Sequence, residues 1–314
     1  MRFAKLSIIL IFMLALTVPV INAQEDGEGL TIGFSQVGSE SAWRTAFTDA
    51  TLAEAEERGI NLLFSDAQQS QENQITAMRA WIAQGDVDAI ILAPVVESGW
   101  DDVLQEAADS DIPVIIVDRS VDSDESLYVT RVSSDFVHEG RLAATWLIQA
   151  TSGNCNIVEL YGTVGSGAAI DRHTGFQEVI DLFANTTIIQ SETANFVRSE
   201  GKAVMEGILS SEDPANICAV FAHNDDMAIG AIEAIKEAGL VPAVDILVVS
   251  VDAIPDIFDS MDLGETNATV ELSPFMGGPA FDAVIAHLNG EELPRWIPVG
   301  GGLYTSRAAY DADR

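Results

Sequence analysis

The sequence predicts an α/β protein in which one device is written twice, each time as a mostly parallel sheet with helices on both faces. Three observations carry this expectation. Short apolar runs rich in β-branched residues recur along the chain, and amphipathic stretches that stop at glycine lie between them. Within each half, successive runs start about 25 to 31 residues apart, the length of one β-α unit.

The first set of runs occupies residues 30–35, 61–65, 87–93 and 112–117, and the second 156–161, 186–190, 216–222 and 245–251. Near-continuous Val, Ile and Leu suit strands that are covered on both faces. Residues 41–58 read as a helix stopped by Gly59, 71–84 as one stopped by Gly85, and 224–238 as one stopped by Gly239, because glycine accepts the left-handed turn that ends a helix. Right-handed crossovers follow. Between the sets come a strand at 128–132 and a helix at 135–150, so the first crossing between halves falls at about residue 132. After the second set, a strand at 268–272, a turn with Pro and Gly, and a helix near 276–288 form a tail too short for a domain of its own. It is expected to return to the first half, and two or three crossings would make a hinge with a cleft. The competing architecture is a single eight-stranded α/β barrel.

The chain has 314 residues, 48% hydrophobic and 20% charged, enough for a large core and more naturally two domains than one. Residues 1–23 carry Arg2 and Lys5, an apolar run over 6–18, Pro19 and a small final Ala23, the pattern of a secretory signal peptide. The rival reading is an uncleaved anchor, since the run is borderline against the roughly 20 residues a span needs. The net charge of −34, with no basic block, argues against nucleic acid and anionic membrane surfaces as partners and suits a free monomer. Cys155 and Cys218 are the only cysteines; in an exported chain an even pair favours a disulfide over two buried thiols, and neither belongs to a metal-ligand pattern.

In open parallel sheets, ligands meet the loops at the carboxyl ends of strands. Those loops hold Glu40, Trp43 and Arg44 after the first run, Asp118 and Arg119 after the fourth, Arg172 after 156–161, His223 to Asp226 after 216–222, and Asp252 after 245–251. Arg and Asn donate paired hydrogen bonds in one plane, carboxylates accept them, and an indole covers a C–H face, a set that fits a sugar better than a phosphate. Each residue also has a plain structural role: Trp43 as core, Asp118 with Arg119 as an ion pair, Asn224 and Asp252 as helix caps, Arg172 as a solvated surface group. Enzyme motifs are missing: no G-x-x-x-x-G-K-[ST], no H-E-x-x-H, no G-x-S-x-G, and His138, His173, His223 and His287 without ligand spacing. No enzyme activity, cofactor or metal is expected.

The motifs GFSQVGSESAWR (33–44), APVVESGW (93–100), VDRSVD (117–122), AIDRHTGF (169–176), AHNDDMAIGAIEAIKEAGL (222–240) and NATVELSPFMGGPAFDA (267–283) resemble those of the sugar-binding proteins of ABC transporters, ribose/galactose type. The resemblance covers nearly the whole chain beyond residue 23, and SQVGSES with APVVESGW narrows it to the galactofuranose-binding branch. It implies two Rossmann-like lobes joined by a three-segment hinge: 24–132 with 272–300, and 133–271 with 301–314. It implies ligand contacts from Glu40, Ser41, Trp43, Arg44, Asp118 and Arg119 on one wall, and from Arg172, Asn224 and Asp252 on the other. Phe196 of ANFVRSEGK is implied as a stacking ring, and Glu271, near the hinge, as a further ligand contact. The family pattern also pairs the two cysteines. The implied function is a periplasmic receptor that captures a monosaccharide, galactose in its furanose form first among them, for an ABC permease. Other consumers, a chemoreceptor or sensor fed by another pentose or hexose, and a furanoside-processing enzyme are the alternatives. The departure from the family is the surface, which is acidic and has only Lys202 and Lys236 as lysines after residue 23.

Overall fold

A computed structural model describes residues 27–314; the leader assigned to 1–23 lies outside the described residues. The first five strands are β1 (Thr31–Gln36), β2 (Asn61–Asp66), β3 (Ala89–Leu92), β4 (Val114–Val117) and β5 (Thr130–Ser133). The next five are β6 (Asn154–Tyr161), β7 (Asn185–Thr193), β8 (Ala219–Ala222), β9 (Leu247–Asp252) and β10 (Ala268–Glu271), and β11 (Trp296–Pro298) and β12 (Leu303–Tyr304) close the series. They form two six-stranded sheets, ordered β11-β5-β4-β3-β1-β2 and β12-β10-β9-β8-β6-β7. All pairings are parallel except β10 with β12. Two open sheets exclude the barrel.

The helices are α1 (Ala42–Glu57), α2 (Gln71–Gln84), α3 (Asp101–Asp109), α4 (Phe136–Thr151), α5 (Gly167–Ile180), α6 (Arg198–Ser211), α7 (Asp225–Glu237), α8 (Pro255–Asp262), α9 (Gly277–Leu288) and α10 (Arg307–Ala312). Every residue of β3 and β4 is buried, as covered parallel strands require. Gly85 caps α2 at φ 66°, the left-handed conformation expected of a helix stop. Among the described residues no helix is long and apolar enough to cross a membrane.

The chain passes from one sheet to the other after β5, after β10 and between β11 and β12. Helix α9 returns to pack on α1 and β4 of the first sheet, and α10 packs on α8 and β12 of the second. β11 and β12 were not legible as strands: three residues ending in Pro298 and two residues are too short to show a period. β7 runs three residues past the expected strand end at 190, through Ser191 to Thr193.

Cys155 and Cys218 form a disulfide with Cα atoms 5.3 Å apart. Cys155 sits in β6 and Cys218 one residue before β8; the Cys218 N–H donates to the Asn156 carbonyl, so the two lie diagonally across adjoining parallel strands. Helices α4 and α5 pack through glycines: a Cβ on Gly140 would meet the Arg172 carbonyl at 2.1 Å, and one on Gly175 the Val137 carbonyl at 1.9 Å. That approach brings Glu139 to Arg172.

Candidate functional site

The carboxyl ends of β1, β4, β6, β7, β8, β9 and β10, with the residues that follow them, line a small cavity of about 20 Å³ between the sheets. That is far below the roughly 300–1,000 Å³ of drug-sized pockets, so a ligand enters only if the two walls part around it. From the first sheet's side come Glu40, Ser41, Trp43, Arg44, Asp118 and Arg119; from the second come Ala168, Arg172, Phe196, Asn224 and Asp252, with Leu272 at the second crossing. Ten of the eleven expected residues are therefore gathered around one cavity. Glu271 is not: its carboxylate accepts from the Tyr304 hydroxyl at 3.4 Å and pairs with Arg314. A wider open groove beside Ile112, Tyr128 and Arg295 gathers none of them.

Helix capping places the first wall. Ser41 is the N-cap of α1, its Oγ accepting from the Arg44 N–H at 3.1 Å, so Trp43 and Arg44 fall in the first turn at the end of β1. Arg44 is held on three sides: Nε donates to Glu40 Oε1 at 3.1 Å, Nη1 to Gln36 Oε1 at 3.2 Å, and Nη2 lies 2.7 Å from Asp118 Oδ2. Burial works against its charge, but Asp118 and then Glu40 outweigh it and raise its pKa. Trp43 plays both roles weighed for it, buried at 3% exposure, lining the cavity, and donating from Nε1 to the Leu272 carbonyl at 2.7 Å.

Arg119 donates from Nη1 to the Val95 carbonyl at 2.8 Å, and its guanidinium carbon lies 5.1 Å from the Phe196 ring centre, a cation-π contact that spans the cleft. Burial, with Arg44 nearby, lowers its pKa to about 10. The expected Asp118–Arg119 contact is loose, at 3.8 Å.

On the second wall Arg172 is 2% exposed, not solvated. Its Nε donates to Glu139 Oε2 at 2.9 Å and Nη1 to the His223 carbonyl at 2.6 Å, while Nη2 stands 3.8 Å from Asp252 Oδ1. Burial raises the Asp252 pKa well above its ordinary value, with Arg172 pulling the other way, and burial likewise raises that of Glu139. Asn224 does cap α7, accepting from the Met227 N–H at 3.0 Å, and its amide also donates to the Phe196 carbonyl at 3.1 Å. Asp252 caps nothing; Ile254 holds the N-cap position of α8.

Asp118, Phe196 and Asp252 have φ of 63°, 64° and 128°, backbone that side chains other than glycine rarely adopt. Such strain persists only where the surroundings over-determine it; it falls on these three cavity residues and on seven other described residues, Gln68 and Ala243 among them.

Three guanidinium groups and three carboxylates share the lining, so the cavity offers no surplus of positive charge for a phosphate or carboxylate ligand. Among the described residues, Arg119 Nε, Arg172 Nη2 and Glu40 Oε2 are buried without a hydrogen-bond partner. Buried polar atoms demand partners, and a neutral polyol that both donates and accepts supplies them.

Sequence reasoning missed Ala168, Leu272 and the supporting Glu139 and Glu159. Glu139 carried a signal: it falls in the apolar stripe Phe136, Gly140, Ala143, Leu147 of α4, where an acid needs a buried cation. Glu159 carried the same signal as the one acid in the run 156–161. Its carboxylate meets His173 Nδ1 at 2.8 Å, His223 Nε2 at 3.0 Å and Ser191 Oγ at 2.5 Å.

Two α/β lobes around a charge-balanced polar cavity, joined by three crossings, define a receptor for a small solute. Residues 32–292 match the periplasmic binding protein domain family, and the chain belongs to it. It is 55% identical over 268 residues to the galactofuranose-binding protein YtfQ of Escherichia coli, covering 84% of each chain. It is 56% identical to the periplasmic binding protein component of the arabinose ABC transporter of Shewanella sp. ANA-3, solved with α- and β-L-arabinofuranose, with TM-score 0.87 and coverage of 90% and 95%. A Mycobacterium smegmatis structure in complex with β-D-fucofuranose is 45% identical, with TM-score 0.86 and coverage of 90% and 93%.

Proposed function

We propose that this chain is an exported receptor that closes on one monosaccharide in its furanose form, galactofuranose first, and presents the closed form to an ABC permease. The observation that carries the reading is the convergence of side chains from both lobes on one small, charge-balanced cavity that retains unpartnered donors and acceptors. Three similar proteins are named for, or solved with, furanose sugars, which supports the ring form.

In this reading the lobes are 24–132 with 272–300 and 133–271 with 301–314. Residues 1–23 direct export, and the protein works as a monomer without nucleic acid. Glu40, Ser41, Trp43, Arg44, Asp118, Arg119, Arg172, Phe196, Asn224 and Asp252 contact the sugar. Glu271 acts at the hinge, where its ties to Tyr304 and Arg314 hold the end of β10 to the C-terminal segment. The mechanism is a population shift: the sugar touches both lobes only when they are closed, so binding favours closure. Calorimetric titration with galactose, arabinose, ribose and glucose tests this. Saturable one-to-one binding of galactose or arabinose, with ribose and glucose silent, is the expected result; no heat with any sugar contradicts it.

A further inference from the structure

Asp226 does not line the cavity, yet it ties the two lobes together. Its Oδ2 accepts from the backbone N–H of Ala42 at 2.7 Å, across the cleft. Its Oδ1 accepts from Arg198 Nε at 2.8 Å, and Arg198 also reaches Asp256 at 2.7 Å. Asp226 is 4% exposed. A Cβ on Gly230 would meet the Arg198 carbonyl at 2.2 Å, so the close packing of α6 on α7 is what seats Arg198 beside Asp226.

The contact joins two helix starts. Ala42 is the first residue of α1 and Asp226 the second of α7. Both N-termini carry partial positive charge and unsatisfied N–H groups, so bringing them together is unfavourable unless an anion lies between them. Ser41 caps the Arg44 N–H and leaves the Ala42 N–H to Asp226. The same first turns deliver Trp43 and Arg44 from one lobe, while the α7 cap, Asn224, comes from the other.

We propose that Asp226 is a positioning residue that sets the balance between open and closed lobes. Its bridge exists only in the closed form, so it strengthens the binding of every sugar by one factor and leaves the choice among sugars to the cavity. The proposal rests on the receptor reading above and adds to it a residue that governs affinity without touching ligand.

Wild type and Asp226→Ala are titrated with galactose, arabinose and fucose, and their radii of gyration without sugar are measured by X-ray scattering. The expected result is a loss of about tenfold for each sugar bound by wild type, and a larger mean radius for the variant. Asp226→Asn, which keeps an uncharged acceptor, recovers part of the loss. Unchanged affinities, or losses that differ between sugars by more than about threefold, overturn the proposal. Should Asp226→Ala fail to melt cooperatively, Arg198→Ala carries the test with a smaller uniform loss, and no loss overturns it. A wild type that binds none of the sugars contradicts the receptor reading instead; the radii then decide the bridge, and equal radii overturn it.

Discussion

Arg172 holds Glu139 and the His223 carbonyl while a third nitrogen stays free near Asp252. Arg172→Ala therefore removes a ligand donor and leaves a buried carboxylate uncompensated. The expected outcome is loss of sugar binding together with about 3 kcal/mol or more of stability, read by titration and by urea unfolding; retention of both contradicts this role. Residue types at strand ends made Arg44, Asp118, Arg172, Asn224 and Asp252 legible as polar groups near a cleft. Whether each was a ligand group or a cap was not legible, because a cap and a ligand partner use the same side chain, as Asn224 does here. Ser41 and Phe196 came only through the family resemblance. Ala168 and Leu272 have no chemical signature at all, since a small or apolar lining residue looks like core.

Strand β6 carries both a disulfide and a buried acid, and each gives a prediction. The bond between Cys155 and Cys218 closes a loop across 63 residues of sequence separation, for which chain entropy gives about 4 kcal/mol. Reduction, or Cys155→Ser with Cys218→Ser, should lower the melting midpoint by several degrees, and an unchanged midpoint would show that the bond adds nothing. Burial opposes the charge of Glu159, but hydrogen bonds from His173 and then His223 outweigh it and hold its pKa well below the ordinary 4.5. A depressed carboxylate pKa contributes stability that is present above the unfolded value and is lost as pH falls below about 4.5. The hydrogen bond to Glu159 raises the His173 pKa from 6.5, a contribution present below that value and lost as pH rises through the raised one. Glu159→Gln should flatten the fall of melting midpoint on the acid side, and a profile identical to wild type contradicts the cluster's role. Helices α1, α2 and α7 were legible from their apolar period and the glycine that stops each. β11 and β12 were not, because their pairing is set by the distant strands β5 and β10.

At the scale of the whole molecule, two sheets meet only through three crossings and a cleft, so closure is the motion the fold allows. Repetition of the β-α unit made the two halves legible; the direction in which the tail returns to each was set by tertiary packing of α9 on α1 and α10 on α8. The central claim is that closure selects a neutral furanose from solution. It is tested most directly by a ¹³C spectrum of the protein with galactose labelled at the anomeric carbon. The account predicts one bound resonance per protein, in the furanose range and far stronger than the minor furanose signal of the free, pyranose-dominated sugar. A bound resonance in the pyranose range, or none, would contradict it.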